Sequence, residues 1–433
     1  MKWIPLIVSG ILLTHSTGGW AANAVPTAPV TQSGKPALTW QVVENLLQDH
    51  SRVLAISTLN VQLSRAGVQE AHTGLTPQLS AGVSGTVSKS NSDSAATGAG
   101  ASLSISQVLW DGGKLGVGIA NAESRFAASE AVAIQAAAND YAHVRNQFYQ
   151  LWYSQALLRL NKTIVDRRAD QYELLKYRYA SGLEHEGALM TSKANWIDAQ
   201  TAFTQSERTV ALNRLTLAQS VSGDLSGFSD DATMADSVPV VVPSENHYIL
   251  VDRLPAVREA TAQLAVAKGN LTAAQLQLLP AVSAGGSASK SLTFSPTSAQ
   301  SDNLSAQVGI NYSIWDGGAI GIAQKSAELR VASAELALEQ ARTTALLSLE
   351  VARENWRSAV ENLVVQTQFW NANVSRANIA GLQYKSGRLS FNEWILIENN
   401  LVQSQKSVLR AQLDVWVAES EWRHVKGESL DTN

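Results

Sequence analysis

The chain has 433 residues and a formal net charge of -4, and its charged fraction of 16% lies below the roughly 25% of an average globular protein. It carries no basic run and no interleaving of aromatic and basic residues, so it lacks the electrostatic footprint of a nucleic-acid binder. It contains no cysteine, which excludes a disulfide frame, a thiolate zinc site and a lipid attached through an N-terminal cysteine.

The first segment, 1–24, reads as a secretory signal peptide. Lys2 supplies the charged start, Ile4 to Leu13 the apolar core, and Ala22-Asn23-Ala24 a small-x-small cleavage pattern. The apolar run is well short of the roughly 20 residues that a spanning helix needs. The mature chain is expected to begin near Val25 with a Pro-rich, flexible leader over 25–37.

A helical pattern starts at Leu38, with Thr39 placed as N-cap. Val42, Val43, Leu46, Leu47, Leu54, Leu59 and Leu63 share one face, and the pattern runs to about Leu75. Thr76-Pro77 ends it, because proline lacks a backbone donor and pushes its predecessor out of helical geometry. The next stretch alternates with period two. Leu79, Ala81, Val83, Gly85 and Val87 point one way, and Ser80, Gly82, Ser84, Thr86 and Ser88 the other. After a polar tip at 89–98, Ala101, Leu103, Ile105, Gln107 and Leu109 resume the alternation. This predicts a β-hairpin over 77–110, apolar on one face and Ser, Thr and Gly on the other.

Trp110-Asp111-Gly112-Gly113 closes the hairpin. A long helix is predicted from 113 to 180, broken at Tyr179-Ala180-Ser181-Gly182 and followed by a shorter helix over 187–222. An acidic, Pro-containing linker fills 223–246. The same order then returns: a helix from about His247, a hairpin over 280–315 with its tip at 291–302, Trp315-Asp316-Gly317-Gly318, a long helix over 318–385, Tyr384-Lys385-Ser386-Gly387, a short helix over 391–426 and a tail at 428–433. Trp110 to Trp315 and Tyr179 to Tyr384 are both separated by 205 residues. Two motifs that hold one offset over such a span predict a duplicated unit, so the chain is one body of two halves. At 1.5 Å per residue each long helix would be a rod of about 100 Å.

No internal run reaches the 18 or more apolar residues of a membrane-spanning helix. Ten-residue strands that are apolar on one face are what a membrane barrel uses, with lipid outside and water inside. Soluble hairpins capping a coiled-coil protein fit the same alternation. Four strands cannot close a membrane barrel, whose known minimum is about eight, and an open edge in lipid leaves backbone groups unpaired. The barrel reading therefore requires strands pooled between copies under cyclic symmetry.

With this doubled order of helix, hairpin, Asp-Gly-Gly, long helix, Tyr-x-Ser-Gly break and short helix, the chain resembles the outer membrane efflux proteins, the TolC-like exit ducts. The resemblance covers about Leu38 to Gly427. It implies a mainly α fold with a membrane β-barrel portion: internally duplicated helical hairpins and four strands per chain, assembled as a homotrimer with a 12-stranded barrel on an α-helical periplasmic tunnel. It further implies an outer-membrane location, passive conduction of small toxic molecules or secreted polypeptides, no cofactor and no enzymatic chemistry. The partners implied are the lipid bilayer, a periplasmic adaptor and an inner-membrane transporter of the RND, ABC or MFS class.

The resemblance assigns adaptor docking to the helix breaks, at Ser181, Gly182, Leu183, Ser386, Gly387 and Leu389; helix capping alone is the plainer role for them. It places a carboxylate gate at Glu393, joined by Glu184 or Glu186. Two positions depart from the family pattern, since Ala188 and Leu396 stand where acids often do. Trp110 and Trp315 are expected at the inner bilayer interface, where aromatic residues are favoured. Asp111 and Asp316, each followed by two glycines, are expected to form turns and cap the long helices. None of the seven histidines has a metal-ligand spacing. The rival from another class is a periplasmic coiled-coil scaffold or adaptor without a pore.

Overall fold

The computed structural model describes residues 35–88, 96–234, 238–242, 247–294 and 299–428. The expected signal peptide, nearly all of the leader, much of each hairpin tip, parts of the linker and the end of the tail lie outside the described residues. The order is β1 (Leu38–Thr39), α1 (Trp40–His50), α2 (Arg52–Thr73), β2 (Gln78–Ser88), β3 (Ala96–Trp110), α3 (Lys114–Ala180) and α4 (Glu186–Ser220), then β4 (Ala232–Thr233), α5 (His247–Val251), α6 (Pro255–Leu276), β5 (Ala281–Phe294), β6 (Ala299–Asn311), α7 (Ala319–Lys385) and α8 (Phe391–Val425). The halves match closely. The long helices α3 and α7 each have 67 residues, α4 and α8 each have 35, and α2 and α6 each have 22.

Along α3 pack both α2 and α4, and along α7 pack both α6 and α8, so each long rod is lined by two shorter helices. α3 also touches α6 and α8, which joins the halves. Near the middle, α1 is pinned to α3. The Trp40 indole donates to the Tyr141 hydroxyl, which donates to Glu44 at 2.8 Å. Burial, and then the bond to Glu44, push the Tyr141 phenol up to about 12.

The helix expected as one piece from Leu38 to Leu75 is two. Ser51 interrupts it with extended backbone, and its buried hydroxyl accepts the Leu54 amide at 3.2 Å and donates to Asp140 at 2.5 Å. Thr39 stands at the N-cap of α1 without a side-chain bond, in a short parallel pairing with β4. In the second half the helix expected from His247 is likewise divided. Pro255 occupies the first turn of α6, where a missing amide is tolerated, and so fixes the start of that helix. β6 ends at Asn311, leaving Tyr312 to Trp315 beyond the strand.

The four long strands form one antiparallel sheet in the order β2-β3-β5-β6. The pairing of β3 with β5 fuses the two hairpins, and β2 and β6 are left as edges. Leu79, Val83, Leu103, Ile105, Leu304 and Val308 occupy one face, with Val83 90% and Leu304 85% exposed. The opposite face is hydroxylic. Ser80, Ser104, Ser287 and Ser305 stand in register across all four strands, with the Ser80 and Ser104 hydroxyls 2.7 Å apart and those of Ser287 and Ser305 2.8 Å apart.

Each hairpin hands over to its long helix through one turn. The Asp111 carboxylate accepts the amides of Gly113 (2.9 Å) and Leu115 (2.6 Å), and the Asp316 carboxylate those of Gly318 (2.9 Å) and Ile320 (2.5 Å). These amides, Ile320 first, hold the Asp316 carboxyl below the usual carboxylate range. The paired glycines adopt positive φ, +73° and +95° at Gly112 and Gly113, +71° and +90° at Gly317 and Gly318. Trp110 ends β3 half exposed, and Trp315 is 86% exposed.

The two turns differ in their surroundings. A Cβ on Gly112 would lie 2.7 Å from Leu279, whereas one on Gly317 meets nothing within 4 Å. Gly317→Ala should therefore cost only the left-handed strain of about 1–2 kcal/mol, and Gly112→Ala that strain plus an overpacking cost of about 1–3 kcal/mol. Thermal unfolding of the purified protein at one scan rate checks this. Gly112→Ala should melt at the lower temperature, and equal shifts would remove Leu279 from the account of the turn.

Candidate functional site

The end of the helical body farthest from the sheet is built by the two helix breaks, about 100 Å from the Asp-Gly-Gly turns at helical rise. At the first, the Gly182 amide donates to the Tyr179 carbonyl (3.0 Å) and the Leu183 amide to Arg178 (2.9 Å), with Gly182 at φ +71°. At the second, Gly387 donates to Tyr384 (3.0 Å) and Arg388 to Gln383 (2.9 Å), with Gly387 at φ +75°. Both are Schellman caps, which use a left-handed glycine to satisfy the last helical carbonyls. The Ser181 and Ser386 hydroxyls donate back to the carbonyls of Tyr177 and Gln383, each at 3.0 Å.

The helices that leave the breaks are capped in different ways. His185 accepts the Ala188 amide on Nδ1 at 3.1 Å and so starts α4. Ser390 and Glu393 form a reciprocal capping box on α8. Glu393 is exposed, and its Oε2 accepts both the Ser390 amide (3.4 Å) and hydroxyl (2.9 Å). Glu186 is exposed in the first turn of α4. Glu184 is held between the halves, accepting the Tyr384 hydroxyl at 2.8 Å, with Arg178 Nε 3.9 Å away. Burial, then this bond to Glu184, raise the Tyr384 phenol well above its ordinary range. The Arg178 guanidinium lies 4.9 Å from the Tyr384 ring centroid, and Tyr384 stacks on Trp394 at 4.2 Å. The structure thus brings Glu184 into contact with the second break and leaves Glu186 and Glu393 at the surface. Ala188 is buried in the small core at this end, beside Leu175, Ala380 and Phe391.

Farther along, a buried polar cluster ties α3 to α8. Arg167 makes two bonds to the Glu398 carboxylate, Nε to Oε2 at 2.6 Å and Nη2 to Oε1 at 2.9 Å, and Gln171 adds a third at 2.9 Å. Arg168 bonds Gln171 at 2.8 Å and Asn399 at 2.5 Å. Among the described residues no group of His, Asp or Glu is placed to hold a metal ion, and no helix is long and apolar enough to cross a membrane.

The family model described as outer membrane efflux protein matches residues 43–223 and 248–425, one stretch in each half. The chain belongs to this family. It is also similar in fold to three solved structures: a membrane protein from Pseudomonas aeruginosa (17% identity, TM-score 0.79, 89% of this chain and 93% of that one), the outer membrane protein VceC of Vibrio cholerae (18%, 0.76, 90% and 96%) and the open state of the MtrE outer membrane channel of Neisseria gonorrhoeae (17%, 0.76, 94% and 95%). Membership places this efflux protein in the outer membrane with a tunnel in the periplasm. Channels of this family work as trimers with an adaptor and an inner-membrane pump. The orientation of the molecule follows: the sheet lies at the membrane and the two helix breaks form the periplasmic tip.

Three features of the tip and of the helices that lead to it are absent from the expected set. The Ser390-Phe391-Asn392-Glu393 order is a capping-box signature that the sequence displays openly. The His185 cap had a weaker signal, a polar residue just before a helix. The Arg167–Glu398 pair had none, because its partners lie on separate helices 231 positions apart.

Glu398 is almost fully buried while Arg167 is 39% exposed. Arg167→Ala leaves a buried carboxylate on Gln171 alone and should cost about 2–3 kcal/mol, below the 3–5 kcal/mol of a fully buried pair. Replacing both, as Arg167→Met with Glu398→Leu, should restore part of that loss, since the carboxylate is no longer stranded while the buried Arg168 loses the charge of Glu398. Denaturant unfolding of the two variants reads the difference. A double variant no more stable than Arg167→Ala would mean that the stranded charge is not the cause.

Proposed function

We propose that three copies of this chain pool their strands into a 12-stranded barrel and act as the passive exit duct of an efflux pump. The duct would release small toxic molecules from the periplasm to the exterior, with energy supplied by the inner-membrane partner. One observation carries this reading: a four-stranded sheet with two unpaired edges, an apolar outer face and a hydroxyl-lined inner face, set on helical rods of 67 residues. The family description as an efflux protein supports small molecules over polypeptides as cargo.

The adaptor docks, on this reading, at Ser181, Gly182, Leu183, Ser386, Gly387 and Leu389. In support, Leu183, Tyr177 and Leu382 expose 62%, 71% and 71% of their surface around the two caps, and apolar exposure of this kind marks contact surfaces. The entrance is gated by carboxylates from Glu393, with Glu184 and Glu186 contributing. Three copies of the surface carboxylate of Glu393 would form a ring that favours cations. Glu184, bonded to Tyr384, holds the two breaks of one chain together.

Single-channel recording of the detergent-purified protein in a planar bilayer tests both levels of the proposal. Small, cation-preferring currents are expected from the native protein, and Glu393→Ala should weaken the cation preference. A protein without conductance would refute the duct. A native duct whose selectivity survives Glu393→Ala would remove that residue from the gate.

A further inference from the structure

We propose that neighbouring copies form a two-cation site for a small oxyanion of the phosphate class near the periplasmic tip, built from Arg376 of one copy and Lys193 of the next. The site rests on the three-copy reading given above. It follows from the duplication, which makes the contact between copies a repeat of the contact between halves.

In the tip half of the chain the helices lie side by side in the order α4, α3, α8, α7. Closing three such sets under cyclic symmetry brings α7 of one copy against α4 of the next. That junction has a counterpart inside the chain. α7 (Ala319–Lys385) repeats α3 (Lys114–Ala180), and α8 (Phe391–Val425) repeats α4 (Glu186–Ser220), each at an offset of 205. The packing of α3 on α8 is therefore the template for the packing of α7 on the next copy's α4.

The template centres on the buried Glu398. Its carboxylate accepts two bonds from Arg167 and one of 2.9 Å from Gln171, while Arg168 bonds Asn399. At the offset of 205, Gln171 is matched by Arg376, Glu398 by Lys193, Arg167 by Ala372, Arg168 by Asn373 and Asn399 by Ala194. Two things change together. The carboxylate that neutralises the cluster gives way to an ammonium facing a guanidinium, and two longer side chains shrink to alanine. The junction between copies thus holds two cations beside vacated space, where the junction between halves holds a carboxylate among arginines.

No acid of the chain is placed to neutralise the two. Arg376 and Lys193 are both exposed, and among the described residues neither side chain has an ion-pair or hydrogen-bond partner in its own chain. α7 carries no acid between Glu361 and Lys385. On α4 the acids flanking Lys193 are Glu186, about 10 Å away along the helix, and Asp198, which acts on Arg168 of its own chain. Two cations pressed together out of water repel unless an anion lies between them. A phosphate-class oxyanion suits the place, since its several oxygens accept from a guanidinium and an ammonium at once. Bound there, it holds neighbouring tips together.

Isothermal titration calorimetry of the detergent-purified trimer with inorganic phosphate, at constant ionic strength, tests the site. One phosphate should bind per junction, and phosphate should raise the temperature at which the trimer dissociates. Lys193→Gln and Arg376→Gln, both at exposed positions of the single chain, should each weaken binding about tenfold or more, the loss of one charge-assisted hydrogen bond. Lys193→Glu restores the carboxylate that Glu398 supplies between the halves; this trimer should resist heat better than the native one in phosphate-free buffer and no longer respond to phosphate. A native trimer that binds no phosphate, or binding that survives both Gln substitutions, would overturn the site while leaving the barrel intact. A native preparation containing no trimer would overturn the barrel and the site together.

Discussion

The rest of the structure depends on the backbone of two edge strands. β2 and β6 each present a row of amides and carbonyls with no partner strand among the described residues, and a bilayer contains no water to satisfy them. The sheet's apolar face cannot enter lipid until those groups are paired, and four strands are too few to pair them by closing on themselves. The chain is therefore built as a sector. Its helices carry rows of exposed apolar side chains, Ile56, Leu59 and Leu63 on α2 and Leu329, Leu336 and Leu347 on α7, in keeping with helices that find their remaining neighbours in other copies.

The duplication supplies the geometry for that sector. Each half delivers two strands and one rod, and the antiparallel pairing of β3 with β5 makes the two hairpins a single sheet. The Asp-Gly-Gly turns orient the rods relative to the sheet by capping α3 and α7 from three residues before the helix. At the far end, each Schellman cap stops its rod and reverses the chain within five residues or so, while Tyr384, Glu184 and Arg178 bind one break to the other. Between these ends the half-exposed Arg167 and the buried Glu398 tie α8 to α3. A charge pair specifies such a register more sharply than apolar packing does, because a shifted carboxylate would be left buried and unpaired.

Much of this was legible in the residues. The period-two run from Leu79 to Val87 could be read as a strand because each position alternates between lipid-like and water-like chemistry, and the long helices because no proline interrupts them. The family resemblance rested on motif order, which survives where identity to solved relatives has fallen below a fifth. The interruption at Ser51 was not legible, since the apolar spacing continues through it and its cause is a hydrogen bond to Asp140, 89 positions away. The start of α6 at Pro255 had a visible signal that the apolar pattern outweighed. At the tip, carboxylates could be named, but which of them is held by a neighbour and which is exposed depends on contacts between the halves. Glu184 and Glu393 each lie just beyond a helix break, but folding brings Tyr384 and Arg178 to Glu184 and leaves Glu393 exposed in the capping box of its own helix.

The sharing of strands between copies can be tested directly, because the chain has no native cysteine. Ser80→Cys on β2 is combined in turn with Asn303→Cys, Ser305→Cys or Gln307→Cys on β6, all on the hydroxylic face, and the membrane-assembled protein is oxidised and run without reductant. At least one combination should yield a covalent series that ends at three chains. A series that continues past three, or disulfides formed only within single chains, would contradict a barrel of pooled strands.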